Sequence, residues 1–314
     1  MKAYEKEIIK AQLTNEKEVI ARLKELYETS LTQINSNIEQ LIARYKQEEL
    51  QSVIYQLDYQ KALRTQINAI LDTLQAGEYE KISDFLNASY ENGFIGALYS
   101  MQRQGVPLII PMDQEQILNA IVYESKISKG LYEALGENVK SLKKRISSEV
   151  SRGIANNFSY SDIARNIRNV STIGYNNAIR IARTEGHRIQ GQAQLDSSHK
   201  AKEKGADVVK QWDSTLDGRT RKNHRKLDGQ IRELDEYFEV GGRKAKCPGQ
   251  FNRPEEDINC RCVMLQRARW GLDDSELKTL EERAKFFKLD KTKNFNDYKK
   301  KYLKAVKESE KEEK

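Results

Sequence analysis

All three cysteines of this 314-residue chain, Cys247, Cys260 and Cys262, fall within sixteen positions, and one of its three histidines, His224, lies upstream of them. Thiolate and imidazole are the ligands tetrahedral zinc takes, so His224, Cys247, Cys260 and Cys262 can be written as a Cys₃His set for a structural zinc. The pair is C-x-C rather than C-x₂-C, and free thiols in a reducing compartment are the alternative. His224 offers a second chemistry. With Asp217 or Asp228 as partner it has the minimum equipment to activate water at a phosphodiester, the requirement of a metal-dependent nuclease. The same His224 and Asp228 could instead simply hold the turn at Gly229. A third chemistry is anion binding. Arg219, Arg221, Lys222, Arg225 and Lys226, followed by Arg243, Lys244 and Lys246, are dense enough to contact DNA phosphates without reading bases, unless they form a merely solvated face.

These residues sit where the sequence texture changes. Before Ala201, apolar residues recur at helical intervals among Lys and Glu: Ile8 to Leu26, Leu31 to Tyr45 after a break at Thr29-Ser30, and Val53 to Leu74. That spacing predicts long amphipathic helices, arranged as hairpins or a coiled-coil arm. Aromatic and small residues from Ser83 lead to an apolar, Pro-bounded turn, Val106 to Pro111, expected to be buried. Helix resumes from Ile117 to Ile154. Ser159 and Asp162 have the form of a capping box opening a short helix, Ile163 to Val170, before a longer one from Tyr175 to Ala201. On that helix Glu185 and Arg188 can pair at i,i+3.

Beyond it the period shortens. Val208 to Trp212, Ile231 to Val240 and Cys262 to Leu265 read as short strands forming a small sheet, with Trp212 as its core anchor. The predicted fold class is α+β and predominantly helical. Four segments follow: 1–80 a long helical hairpin or arm, 81–174 a helical region with the apolar turn, 175–270 a small α+β module, and 271–314 a charged helical tail, partly disordered, with nothing apolar after Val306.

The balance of 54 basic and 47 acidic residues leaves a net charge of +7, which favours polyanionic partners. A mean hydropathy of −0.78 allows only a thin core. The charged start, Met1 to Lys10, has no room for a secretory signal, and no apolar run approaches a membrane span, so the host cytoplasm, or a particle assembled in it, is the expected compartment.

The ordered combination of these features resembles the phage head morphogenesis family, the minor head proteins similar to the F protein of phage Mu and to minor capsid proteins of tailed phages of Gram-positive bacteria. The resemblance rests on Ala182-Arg183-Thr184-Glu185, then Trp212, Asp217, Arg219, Thr220 and Arg221, then His224, Leu227-Asp228-Gly229, Phe238, Pro248-Gly249 and Asn259-Cys260-Arg261-Cys262. It covers about Tyr175 to Leu265. It implies a structural, non-enzymatic virion protein, with Arg183, Glu185, Trp212, Asp217, Asp228, Gly229 and Asn259 as framework. It also implies the portal protein as partner, together with scaffolding or major capsid protein, and double-stranded DNA held through its backbone. Head assembly at the portal vertex, DNA packaging or genome delivery would be its work, with no membrane involved during assembly. The alternatives are the nuclease built on His224 with Asp217 or Asp228 and a cytoplasmic nucleic-acid-binding adaptor.

Overall fold

A computed structural model describes residues 1–44, 57–122, 130–156, 158–269, 282, 284–285 and 288–312. Tyr45, Val53, Ile54 and the start of the tail at Trp270 lie outside them. The elements in chain order are α1 (Ala3–Arg44), α2 (Leu57–Gln102), α3 (Gln114–Val122), α4 (Gly130–Ala155), α5 (Tyr160–Glu203), β1 (Val208–Asp213), α6 (Lys222–Leu227), β2 (Ile231–Arg232), β3 (Phe238–Val240), β4 (Arg243–Ala245), α7 (Pro254–Asp257), β5 (Val263–Ala268) and α8 (Phe295–Glu312). This is the helix-dominated α+β architecture the periodicities predict.

Two of the helices run through breaks expected from sequence. α1 continues through Thr29 and Ser30, and α5 runs unbroken through Gly174, merging the two helices foreseen there. Polar or glycine residues cost a helix interior only tenths of a kcal/mol to about 1 kcal/mol, and tertiary packing overrides that. Gly174 also has a packing role, since a Cβ there would lie 3.2 Å from the Tyr27 ring. At the start of α5 the Ser159 hydroxyl accepts from the Asp162 amide at 3.2 Å, half of the expected capping box. Asp162 bonds the Ser159 hydroxyl at 2.6 Å instead of its backbone.

The chain forms two compact units, each drawn from separated stretches rather than from the four consecutive segments expected. One comprises 17–84 and 128–182. Its core is a helical stripe, Val19, Leu23, Tyr27, Ile34 and Ile38 on α1 with Ile67, Leu71 and Leu74 on α2 and Leu135, Val139, Leu142 and Ile146 on α4. Polar groups are also buried in this unit. Asn138 donates to the Tyr27 hydroxyl at 3.1 Å and to the Gly174 carbonyl at 3.0 Å, and the fully buried Glu78 carboxyl lies beside Tyr27.

The other unit comprises 1–16, 85–127 and 183–314. Its helical part packs closely at Gly93, where a Cβ would meet the Gln190 carbonyl at 2.5 Å. The connection after α2 is buried as expected, through Val106, Leu108 and Ile110. The C-terminal segment departs from expectation. α8 extends to Glu312 and buries Phe295, Tyr298, Tyr302 and Ala305, with the Tyr298 ring 5.0 Å from that of Tyr99 and the Tyr302 hydroxyl bonded to the Ile110 carbonyl. Spacings of three and four residues give this lysine-rich stretch a single apolar face.

The strands of this unit form a three-stranded antiparallel sheet in the order β2-β1-β5, with Gln211 opposite Ile231 and Leu265, and a separate β3-β4 hairpin. The segment Ile231 to Val240, read as one extended piece, therefore serves two sheets. Gly241 and Gly242 close the hairpin with φ of 56° and 73°, the left-handed pair that a two-residue turn requires. Trp212 on β1 is fully buried, its ring edge-on to Phe238 at 5.2 Å and 5.7 Å from Phe251.

Candidate functional site

The short helices α6 and α7 and the turn before β5 bring a set of reactive side chains against Trp212. His224 on α6 is buried, its ring 5.7 Å from the indole. Its Nδ1 lies 3.2 Å from the Cys262 sulfur and 3.5 Å from that of Cys260. Its Nε2 lies 3.1 Å from the carboxylate of Glu256 on α7, whose other oxygen accepts from Asn223 at 2.7 Å and from Arg243. Asn259 adopts φ of 55°, the left-handed conformation asparagine tolerates, and so turns both cysteines of the C-x-C pair toward the imidazole.

Electrostatics follow the geometry. Of the pair, Cys262 is held low, first by the Cys260 thiol and also by His224 and Ser214 against the effect of burial, and Cys260 is correspondingly pushed up. Burial works against the Glu256 carboxylate, but bonds from Asn223 and Arg243 and the nearby His224 bring it below its ordinary range. Asp257 accepts from the backbone amides of Phe251 and Arg253, both at 3.1 Å, and burial still raises it.

His224, Cys260 and Cys262 present ligand atoms within 4.8 Å of one another and could hold a metal ion. Cys247, grouped with them by the sequence, is not brought into that set. It packs with Leu195 and Met264, its sulfur 3.0 Å from where Gly191 would carry a Cβ, and burial pushes its thiol up to about 12. Closeness in sequence misled here because the turn at Pro248-Gly249 and α7 lie between Cys247 and the C-x-C turn.

The carboxylates that a His224-based nuclease would need are engaged elsewhere. Asp217 takes a two-pronged pair from Arg261, both bonds 2.7 Å, and accepts from the Arg219 amide at 2.9 Å, which holds it well below the usual carboxylate range. Asp228 accepts the Ser214 amide at 2.7 Å. Gly229, at φ of 77°, lets its amide reach the Trp212 carbonyl at 2.8 Å. These residues are bound into local structure. So are Arg188 and Glu185, a buried pair at 2.9 Å, and Arg183, which meets Glu16 at 2.7 Å.

The eight basic residues divide. Arg221 donates to the Ile258 carbonyl at 2.6 Å and Arg225 to that of Asp217 at 2.7 Å. Arg243 is bound by Glu256 and Glu255, Lys244 pairs with Glu239 at 2.6 Å, and Lys246 covers the Tyr237 ring. Arg219, Lys222 and Lys226 are exposed and, among the described residues, their side chains have no hydrogen bond or ion pair. Arg219 lines an open cleft with Thr215, Thr220, Arg221, Asn259 and Arg261, and the cleft reaches His224 and Cys262.

Sequence reasoning missed Glu256, His187 and Lys210. Glu256 follows Pro254, the first residue of α7, a legible helix start that says nothing of a partner thirty-two positions away. His187 on α5 has a buried Nε2 without a hydrogen-bond partner, and burial lowers its imidazole to about 4. Lys210 is fully buried in β1, donates to the Leu234 carbonyl at 2.7 Å and is brought down to about 8 by burial. No helix of the described residues is long and apolar enough to cross a membrane.

Fold and site together define a helix-rich α+β protein with a small Cys/His-bearing module. Residues 144–265 match the family model for Phage Mu protein F like proteins. The chain is 27% identical over 251 residues to minor head protein GP7 of Bacillus phage SPP1, covering 78% of this chain and 80% of that protein. It is also 31% identical over 271 residues, 84% of this chain, to the NAD(+)–arginine ADP-ribosyltransferase EFV of Enterococcus faecalis. The chain spans about half, 54%, of that relative's length. No solved structure matches. By this module the chain belongs to the phage head morphogenesis family, the bacteriophage minor head proteins.

Proposed function

We propose that the chain is a non-enzymatic minor head protein that works in head assembly at the portal vertex and grips genomic DNA through its phosphates. The observation that carries this reading is the similarity to a protein named for the phage head across four-fifths of that protein's length. Its partners are then the portal protein, with scaffolding or major capsid protein nearby, and it moves from the host cytoplasm during assembly to the head interior or portal vertex. DNA contact is supported by the net charge of +7 and by Arg219, Lys222 and Lys226, exposed basic side chains around the cleft and α6. Phosphate contacts of this kind would serve packaging or delivery equally, because they bind any sequence.

Mass spectrometry of gradient-purified, DNA-filled particles tests the assignment to the head; absence of the chain from them would overturn it. Fluorescence anisotropy with a mixed-sequence duplex tests the DNA contact. Affinity should fall steeply with salt, and Arg219→Glu, Lys222→Glu and Lys226→Glu together should weaken it by about tenfold or more. A flat salt dependence would exclude phosphate contacts. Two enzymatic alternatives have direct assays. Plasmid should survive Mg²⁺, Mn²⁺ or Zn²⁺, whereas cleavage lost in His224→Ala would establish a nuclease. Transfer of label from NAD⁺ to arginine, the activity named for the Enterococcus relative, should likewise be absent.

A further inference from the structure

We propose that His224, Cys260 and Cys262 bind one zinc ion through Nδ1 and the two sulfurs, as three of its ligands. The arrangement is hard to account for by hydrogen bonds alone. A single imidazole nitrogen faces two sulfurs, at 3.2 and 3.5 Å, yet one N–H serves only one acceptor well. All three side chains are buried, Cys262 at 2% exposure, which suits ligation better than nucleophilic attack on a substrate. Two thiolates and an imidazole are the donor set zinc takes in structural sites, at ~2.3 Å for sulfur and ~2.0 Å for nitrogen, and a cluster within 4.8 Å needs only small side-chain shifts to reach them.

The surroundings are those of a metal-bound imidazole. Zinc-ligating histidines hand their other nitrogen to a carboxylate that fixes ring and tautomer. Glu256 does this at 3.1 Å from Nε2 and is itself held by Asn223 and Arg243. Ser214 stands 3.4 Å from the Cys262 sulfur, a hydroxyl placed to steady a thiolate. Cys247 is excluded by its place among Leu195 and Met264.

Elemental analysis and zinc K-edge absorption on the full chain, purified without chelator, test the site. The expected result is about one zinc per chain, with two sulfur scatterers and the multiple scattering of an imidazole. Cys260→Ser with Cys262→Ser should lower zinc content at least about tenfold, while Cys247→Ser should leave it intact. The wild-type spectrum decides the matter even if the double variant fails to fold. Less than about a tenth of an equivalent of zinc, or a first shell without sulfur, would overturn the proposal. Because metal content is read on the isolated chain, this outcome is separable from whether the protein acts in the head.

Discussion

The two compact units solve the same problem of buried polarity in opposite ways. In the unit of residues 17–84 and 128–182, long helices satisfy their own backbone, so side chains are free to be apolar and the buried polar residues among those described are few: Ser30, Glu78, Asn138 and Ser171, with the Tyr27 hydroxyl. Around Trp212 the chain is irregular, and side chains must satisfy the backbone instead. Asp228 takes the Ser214 amide, Asp257 those of Phe251 and Arg253, and Arg221 caps the Ile258 carbonyl. A helix tolerates many sequences with the right period, whereas these turns need particular residues at particular places. The difference explains why the ordered motif read residue by residue lies mostly in the second region, although the family match over residues 144–265 begins in the helices of the first.

The sharpest way to break that contrast is Trp212→Ala. The indole fills the centre of the irregular region, and its removal should cost about 3–5 kcal/mol in urea denaturation, the range for large buried aromatics. A loss under about 1 kcal/mol would show that the turns, and not the packing, hold the module.

The helical unit is probed by pH. Burial raises the Glu78 carboxyl from 4.5 to about 7, with the neighbouring Tyr27 hydroxyl opposing it, and neither carboxyl oxygen has a hydrogen-bond partner among the described residues. Between those values the folded chain keeps a proton that the unfolded chain has released. Stability from this group is therefore full below pH 4.5 and is lost as pH rises through 7. Glu78→Gln should gain about 3 kcal/mol on wild type between pH 5 and pH 8, since each pKa unit corresponds to about 1.4 kcal/mol. A wild-type to variant difference that does not change with pH would mean that Glu78 is not a strained carboxyl.

A smaller effect separates surface from framework. Asp228→Ala should cost about 1–2 kcal/mol by leaving the Ser214 amide unpaired, while Arg165→Ala, which loses only an exposed pair with Asp162, should change stability by less than about 0.5 kcal/mol. Equal losses at both positions would erase the distinction between backbone-satisfying and solvated charges.

Much of this architecture was legible. The stripe on α1, the strand at Val208, the buried turn after α2, the Glu185–Arg188 pair and the central place of Trp212 all follow from period and residue type. The errors share one cause. Thr29-Ser30 and Gly174 look like punctuation, and lysines mask the apolar face of α8, because local propensity is weak beside packing that the sequence does not display.

What the sequence by itself determined is the set of periodic stripes and the ordered motif from Arg183 to Cys262, because helix period, turn chemistry and residue identity are local properties. Only the tertiary structure decided which reactive groups meet. It placed Glu256 on His224, left Cys247 in the core beside Gly191, and gave Asp217 to Arg261 and Asp228 to a backbone amide. Those partnerships join residues 14 to 56 positions apart, and distances of that kind are set by how α5, the sheet and the short helices pack, not by spacing along the chain.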